Sequence, residues 1–144
     1  MNSTSGFDAI LFGRVEAFPG SIRWVRHLRA LGMWTAVVSS SANTARALRA
    51  AEITELFDLT IDAYDVRELG LQGKPAPDGF LEAARRLNVR PSRAVVVEDA
   101  LVGVAAGRAG DFGLVIGVTR GASATDLRAA GADVVVADLE ELVP

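Results

Sequence analysis

The chain has 144 residues, half of them apolar, with a formal net charge of −3 and no cysteine. This length fits one domain over residues 1–144 with a single core, and no apolar run is long enough to cross a membrane. Basic and aromatic residues do not cluster together, so a nucleic-acid partner is not expected. The absence of cysteine excludes disulfides and thiolate metal sites. Residues 1–6 lack the charged and apolar segments of a signal peptide. Because cysteine is absent, we expect a reducing, cytoplasmic location.

Apolar runs typical of buried strands alternate with amphipathic helical runs along the chain. Strands are predicted at residues 7–12, 35–39, 59–63, 94–97, 114–118 and 134–136. Helices are predicted at residues 21–31, 43–51, 77–87, 101–109 and 125–130. Because the strands are continuous in Val, Ile and Leu, both faces of the sheet are expected to be buried. This alternation predicts a three-layer α/β/α Rossmann-like fold with a parallel sheet, in which ligands bind beyond the C-terminal ends of the strands.

Small hydroxyl residues stand at the end of the second predicted strand. Ser39, Ser40 and Ser41 are followed by Asn43 at the start of the next helix. Side-chain and backbone donors at such a position can bind an anion. Serine and asparagine are also common N-terminal capping residues of helices, so this segment by itself leaves anion binding and capping open.

The loop after the third strand contains the only lysine of the chain, Lys74, whereas the other 14 of the 15 basic residues are arginine. Pro75 and Pro77 stiffen the loop around it. A rigid loop that holds one compact ammonium suits a fixed phosphate site, with an ordinary solvated loop as the open alternative. The segment is not a Walker A loop, because proline follows the Gly-Lys pair.

An acidic pair, Glu98 and Asp99, ends the fourth predicted strand. Two adjacent carboxylates after a buried strand are acceptable where a hard cation such as Mg²⁺ takes up their charge. A turn in which Asp99 caps the next helix is the open alternative. A hydroxyl cluster, a lysine and an acidic pair after successive strands form a more specific signal than any of the three alone. No glycine-rich turn follows the first strand, so a dinucleotide site is not predicted.

Together these segments resemble the haloacid dehalogenase-like (HAD-like) superfamily, and within it the beta-phosphoglucomutase-like phosphatases and mutases. The resemblance covers residues 17–144. Residues 38–43 are similar to the family's phosphoryl-binding motif, residues 73–78 to its lysine motif, and residues 97–100 to its acidic motif. The resemblance implies a phosphorylated small molecule as partner, such as a sugar phosphate, and hydrolase or phosphotransferase chemistry on phosphate monoesters.

The resemblance also implies a role for each candidate residue. The expected phosphate ligands are Ser39, Ser40, Asn43 and Lys74, and Lys74 is the expected catalytic residue, since in the family it neutralises the nucleophile and the phosphate. Glu98 and Asp99 are the expected ligands of a Mg²⁺ cofactor. The resemblance further implies a five-stranded parallel core sheet and a cis peptide bond between Lys74 and Pro75.

The family's first motif, Asp-x-Asp-Gly after the first strand, is not found in the sequence. Its first Asp attacks phosphorus to form an aspartyl-phosphate, and its second Asp is a general acid–base. Gly13 stands at the position of the nucleophile. The cap domain expected between this motif and residues 18–21 is missing as well. We therefore expect low or no activity and only weak binding of Mg²⁺.

Two alternatives to a slow enzyme stay open. One is a non-catalytic domain that binds a phosphorylated ligand or serves as a scaffold within a larger polypeptide, and the other is a fragment or deletion form of a complete enzyme. Glu16 is the nearest acidic residue that could replace the nucleophile, but reaction geometry tolerates little misplacement, which disfavours it. The only histidine, His27, is expected to be solvated rather than catalytic.

Overall fold

The fold is built on one parallel sheet. The computed structural model describes residues 6–144, so the expectation about a signal peptide falls mostly on residues outside that range. The strands are Ala9–Phe12 (β1), Trp34–Val38 (β2), Leu59–Ile61 (β3), Ala94–Glu98 (β4), Leu114–Val118 (β5) and Val134–Val136 (β6). Their order is β3-β2-β1-β4-β5-β6, with parallel pairing throughout. β1 therefore lies in the middle, flanked by β2 and β4.

Helices connect the strands. They are Pro19–Ala30 (α1), Thr44–Ala50 (α2), Ala63–Glu68 (α3), Asp78–Arg86 (α4), Leu101–Ala109 (α5) and Ala124–Ala130 (α6), with short 3₁₀ helices at Thr54–Leu56, Pro91–Arg93 and Leu139–Leu142. α1 begins at a proline, whose fixed φ suits the first helical turn. Gly32, with φ of +89°, follows its end in the left-handed conformation that terminates many helices. Among residues 6–144, no helix is long and apolar enough to span a membrane.

The sheet is packed on both faces, as continuous apolar strands predict. Ile10 and Phe12 of β1 face a core formed with α1 and the 3₁₀ helices, whereas Ala9 and Leu11 face a core formed with α4, α5 and α6. Phe12 contacts Trp24 of α1 edge to face, with 6.0 Å between ring centroids, a geometry worth about 0.5–1.5 kcal/mol beyond burial. These two cores confirm the predicted three-layer α/β/α fold.

The number of strands corrects one expectation drawn from the family resemblance. β6 pairs in parallel with β5, and Val134 lies opposite Ile116, so the sheet has six strands rather than five. The added strand is a run of three β-branched residues, which suits pairing at a sheet edge, and the apolar pattern of the sequence predicted it. The expected cis peptide bond between Lys74 and Pro75 is present.

Helix α3 is missing from the sequence prediction, which extends the third strand to residue 63. Asp62 begins this helix, because its side chain accepts a hydrogen bond from the amide of Asp65 at 2.9 Å. In return, the Asp65 side chain accepts one from the amide of Asp62 at 3.0 Å. This reciprocal capping box satisfies two amides that the helix leaves unpaired, and the Asp-x-x-Asp spacing was its signal in the sequence.

The C-terminal ends of β2, β1 and β4 lie side by side. Phe12 of β1 is level with Val37 of β2 and Val97 of β4. The amide of Gly13 donates to the carbonyl oxygen of Val97 at 2.8 Å, which holds the end of β1 against β4. Residues that follow these strand ends therefore meet at one place, as parallel pairing requires.

Candidate functional site

A cleft of about 370 Å³ opens at the C-terminal ends of β1, β2 and β4. Ser39, Ser40, Lys74, Glu98 and Asp99, all predicted site residues, line it. The other lining residues are Gly13, Arg14, Val15, Ser41, Thr44, Ala47, Ala100 and Val102. The structure thus brings the hydroxyl cluster, the lysine and the acidic pair together around one cleft.

Lys74 reaches from its loop to the ends of all three central strands. Its Nζ donates hydrogen bonds to the carbonyl oxygens of Gly13 at 3.0 Å and Val38 at 2.9 Å, and to Glu98 Oε2 at 2.5 Å. An ammonium has three donors, so these bonds use all of them. The ring centroid of Phe80 lies 4.9 Å from Nζ, within cation–π range. Only 11% of the Lys74 side chain is exposed, so the alternative of an ordinary solvated loop is wrong.

Glu98 is buried in a slot between two glycines. A Cβ atom on Gly13 would lie 1.8 Å from Glu98 Oε2, and one on Gly103 would lie 1.9 Å from Glu98 Cδ. Glycine at both positions therefore leaves room for the carboxylate in its present place. Burial raises the pKa of Glu98, and the neighbouring Lys74 ammonium partly opposes that rise. The carboxylate also accepts a long hydrogen bond from the amide of Ala100, at 3.4 Å.

Asp99 forms a second ion pair, with Arg14. Arg14 Nη1 donates to Asp99 Oδ2 at 2.6 Å, and this hydrogen bond raises the pKa of the guanidinium. The Asp99 side chain is 12% exposed and that of Arg14 is 55% exposed, so the guanidinium lies at the open side of the cleft. The alternative in which Asp99 caps α5 is wrong, because Ala100 occupies the N-cap position.

Arg14 is the functional candidate that the sequence analysis missed. It lines the cleft together with all the predicted residues named above. Its signal in the sequence was its place directly after Gly13, where the residue leaving a central strand must enter the ligand-binding end of a parallel sheet.

The hydroxyl cluster lies beside Lys74 at the end of β2. Ser39 is 7% exposed, and its Oγ accepts a hydrogen bond from the amide of Ser41 at 3.0 Å. A hydroxyl that accepts in this way can still donate its own hydrogen toward the cleft. Asn43 does not join the cluster: it is exposed, it does not line the cleft, and its side chain makes no capping hydrogen bond at the start of α2.

The charged side chains of the cleft form two cation–carboxylate pairs, Lys74 with Glu98 and Arg14 with Asp99. In the part of the chain from residue 6 onward, no group of three or more His, Cys, Asp or Glu side chains is placed to hold a metal ion. Mg²⁺ prefers an octahedral set of oxygen ligands, and here each carboxylate already faces a cation of the chain. As they stand, these side chains do not fit a resident Mg²⁺.

Glu16, the alternative nucleophile, lies outside the cleft lining. It is 3% exposed, and its Oε2 is 3.4 Å from Ser21 Oγ and 3.5 Å from Arg120 Nε. Burial raises the pKa of Glu16, and the Arg120 guanidinium partly opposes that rise. The structure therefore pairs Glu16 with a separate polar cluster and gives no support to its role as a nucleophile.

His27 also lies outside the cleft, but it is not the solvated residue that was expected. It is half-buried, and its Nε2 is shielded from solvent without a hydrogen-bond partner among the described residues. α1 contacts β2 and the 3₁₀ helices at Thr54–Leu56 and Leu139–Leu142. Because of this packing, α1 is less exposed to solvent than the polar residues around His27 in the sequence indicate, and His27 is partly buried with it.

A second cavity, of about 190 Å³, adjoins the cleft and shares Ser39, Ser40 and Lys74 with it. Most of its other lining residues are small or apolar: Val38, Ala63, Val66, Gln72, Gly73, Ala76, Gly79 and Phe80. Lys74 is thus common to a polar cleft and to a more apolar cavity.

Comparison with protein-family models identifies the family to which this chain belongs. The model described as a haloacid dehalogenase-like hydrolase matches residues 6–111. The chain belongs to the haloacid dehalogenase-like hydrolases. Within this superfamily it falls in the beta-phosphoglucomutase-like group, as the sequence motifs indicated.

Individual relatives agree with this assignment. Beta-phosphoglucomutase of Mycobacterium tuberculosis (strain CDC 1551 / Oshkosh) is 49% identical over 131 residues, covering 89% of this chain and 50% of that protein. Trehalose-phosphate phosphatase of Mycobacterium leprae (strain TN) is 35% identical over 127 residues, covering 85% and 28%. The crystal structure of a HAD family hydrolase from Deinococcus radiodurans R1 with bound phosphate and sodium has a TM-score of 0.76 at 34% identity, covering 87% and 56%. This HAD-like chain spans about half the length of beta-phosphoglucomutase, or less for the longer curated relatives.

Proposed function

We propose that this HAD-like core domain binds the phosphate group of a phosphorylated small molecule, such as a sugar phosphate, and turns it over slowly or not at all. The observation that carries the proposal is the fixed ammonium of Lys74, hydrogen-bonded to the ends of β1, β2 and β4. A charge held in place before the ligand arrives needs no reorganisation on binding. The beta-phosphoglucomutase and trehalose-phosphate phosphatase relatives support a sugar phosphate as the ligand class.

The proposed phosphate ligands are Ser39 and Ser40, with Lys74 as the fixed positive charge beside them. Both serines line the cleft, and a serine hydroxyl donates well to an anionic oxygen. Lys74 already uses its three donors on protein oxygens, so its contribution to phosphate binding is mainly electrostatic unless it exchanges one of these bonds. Asn43 is left out of the proposed set because the structure does not bring it to the cleft.

Weak catalysis follows from the residue at the end of β1. Gly13 has no side chain with which to attack phosphorus, and neither Arg14 nor Val15 supplies a carboxylate. The other carboxylates of the cleft, Glu98 and Asp99, are paired with cations. Loss of a covalent nucleophile can cost an enzyme roughly 10⁶-fold in rate, with residual acceleration from positioning alone.

Mg²⁺ is the cofactor that membership of the family suggests. Glu98 and Asp99 are the residues that would hold it, and it would supply positive charge to a bound phosphate. One or two carboxylates together with a phosphate can bind Mg²⁺, but the ion would first have to displace Lys74 or Arg14. We therefore expect only weak binding of Mg²⁺ to this chain. A cytoplasmic location and a single domain over residues 1–144 are further parts of this proposal, and they rest on composition and length.

A second candidate is a non-catalytic binding unit, or a piece of a longer protein. The observation that favours it is the match to only 50% of beta-phosphoglucomutase. Exposed apolar side chains, Leu101 and Val102, stand beside the cleft at the start of α5, and Val102 lines it. A further segment, supplied by a longer chain or by a partner, could cover them.

Calorimetric titration with inorganic phosphate tests the proposed function. The parent chain is expected to bind, and Lys74→Ala is expected to bind roughly tenfold to a hundredfold more weakly, because the fixed positive charge beside the phosphate is lost and Glu98 is left without its cation. Ser39→Ala gives a second test that leaves the ion pairs intact. The matched control is Arg93→Ala, which removes an ion pair with Asp8 at the opposite end of the strands. Equal binding by the parent, Lys74→Ala and Ser39→Ala would overturn the proposal.

A further inference from the structure

The acidic residues of the cleft are both neutralised by cations of the chain. Lys74 Nζ forms an ion pair with Glu98 Oε2 at 2.5 Å, and Arg14 Nη1 forms one with Asp99 Oδ2 at 2.6 Å. The two pairs differ in exposure: the Lys74 side chain is 11% exposed, whereas that of Arg14 is 55% exposed. One cation is thus enclosed by protein oxygens, and the other lies at the open side of the same cleft.

The open guanidinium has the donors that a phosphate needs. A guanidinium carries five N–H groups in a planar fork, and the hydrogen bond to Asp99 uses one of them. The same fork binds phosphate oxygens in pairs, with a preference for Arg over Lys where such recognition matters. Asp99 fixes the position of the guanidinium, so less side-chain freedom is lost when an anion binds.

A metal ion and Arg14 would compete for the same carboxylate. Asp99 is the more exposed acid of the pair, at 12% against 2% for the Glu98 side chain, and it already holds Arg14. Glu98 is turned into the slot between Gly13 and Gly103. With both acids engaged in this way, the hydrogen-bond donors available to a ligand in the cleft are those of the chain itself, and Arg14 uses only one of its five on Asp99.

From this arrangement we infer that Arg14 is a phosphate ligand that takes the place of a divalent cation, so that the cleft binds phosphate without metal. The inference rests on the proposed function, since it requires that the cleft bind phosphate. It goes further by assigning the contact to a residue that is not among the phosphate ligands implied by the family resemblance, and by removing the cofactor from the binding step. It also predicts a change in metal dependence: once Arg14 is removed, Asp99 becomes available and Mg²⁺ begins to assist binding.

The test is calorimetric titration of the parent and Arg14→Gln with inorganic phosphate, each with EDTA and again with excess Mg²⁺. Arg93→Gln is the matched control, and thermal melting checks that every variant is folded. The parent is expected to bind equally well in both buffers. Arg14→Gln is expected to lose roughly tenfold or more of its affinity in EDTA and to recover part of it with Mg²⁺.

Two results would overturn the inference and leave the proposed function standing. One is binding by the parent only when Mg²⁺ is present. The other is equal affinity of the parent and Arg14→Gln in EDTA. A parent that binds phosphate in neither buffer would overturn the proposed function together with the inference, so the two failures are distinguishable.

Discussion

The carboxylate of Glu98 lies in the space that a side chain on residue 13 would need. A Cβ atom built on Gly13 would approach Glu98 Oε2 to 1.8 Å. An aspartate at position 13, where the family resemblance implies a nucleophile, and Glu98 in its present orientation therefore exclude each other. The glycine at position 13 and the ion pair between Glu98 and Lys74 belong to one local arrangement.

Gly13→Ala is predicted to destabilise the fold by about 1–3 kcal/mol, because the added methyl group displaces Glu98 from its slot and from Lys74. Urea unfolding measures this change in the free energy of unfolding. Gly121→Ala is the matched control, since a Cβ atom there would meet nothing within 4 Å. Adding Glu98→Ala should make the cost of Gly13→Ala smaller, because the clashing carboxylate is then gone. Equal costs with and without Glu98 would contradict the account.

The ion pair between Lys74 and Glu98 is predicted to be strongly coupled. Lys74→Met leaves the buried Glu98 without its cation, and removal of one partner from a buried pair typically costs about 3–5 kcal/mol. Lys74→Met combined with Glu98→Gln should cost less than the sum of the two single variants. Urea unfolding of the three variants measures the coupling. Arg93→Ala, which breaks an exposed pair with Asp8, should change the free energy of unfolding far less than Lys74→Met. Additive costs at Lys74 and Glu98 would show that the two side chains act independently.

Glu16 is predicted to make the protein less stable as the pH rises. Burial raises the pKa of Glu16 above its ordinary value of 4.5 in the folded state. Between that value and the raised one, the folded state keeps a proton that the unfolded state has lost, so the free energy of unfolding falls with increasing pH. Glu16→Gln should flatten this slope, as measured by urea unfolding from pH 4.5 upward.

Glu82→Gln is the control for the pH experiment because its expected effect has the opposite sign and lies below pH 4.5, so the slope above pH 4.5 should be unchanged. Hydrogen bonds from Arg85 and Arg86 lower the pKa of Glu82 to about 2. Its contribution to stability is therefore present at neutral pH and is lost as the pH falls toward that value. If Glu16→Gln and the parent show the same slope above pH 4.5, the raised pKa of Glu16 does not contribute to stability.

The sequence was sufficient for the fold because its strands are unbroken apolar runs. Val95, Val96 and Val97 of β4 are buried on alternate faces, and such a run admits few other structures than a central parallel strand. The strand of residues 134–136 was found in the same way. The expectation of five strands was wrong because the family resemblance does not indicate whether a sixth strand pairs at the edge of the sheet. In this chain β6 pairs with β5 at that edge.

The residues of the candidate site could be predicted from the sequence, but the ion pairs between them could not. The lysine, the serines and the acidic pair were found because each follows a strand end. Their pairing was not, because Glu98 has room for its present place beside Lys74 only when Gly13 and Gly103 both lack a side chain. Position 103 is remote in sequence from position 13, so their joint effect on one carboxylate becomes visible only in three dimensions. Arg14 was overlooked for a related reason, because its ion pair is with Asp99, which is remote from it in the sequence.

The most direct test of the central claim, a phosphate-binding cleft without an attacking group, is hydrolysis of a generic phosphate monoester in the presence of Mg²⁺. Lys74→Ala and Asp99→Ala are measured beside the parent chain. We predict that the parent releases phosphate close to the background rate of the two variants, with at most the small excess that positioning alone supplies. Rapid turnover by the parent that both variants lose would contradict this prediction, because the cleft would then contain a nucleophile or activate water efficiently despite the glycine at position 13.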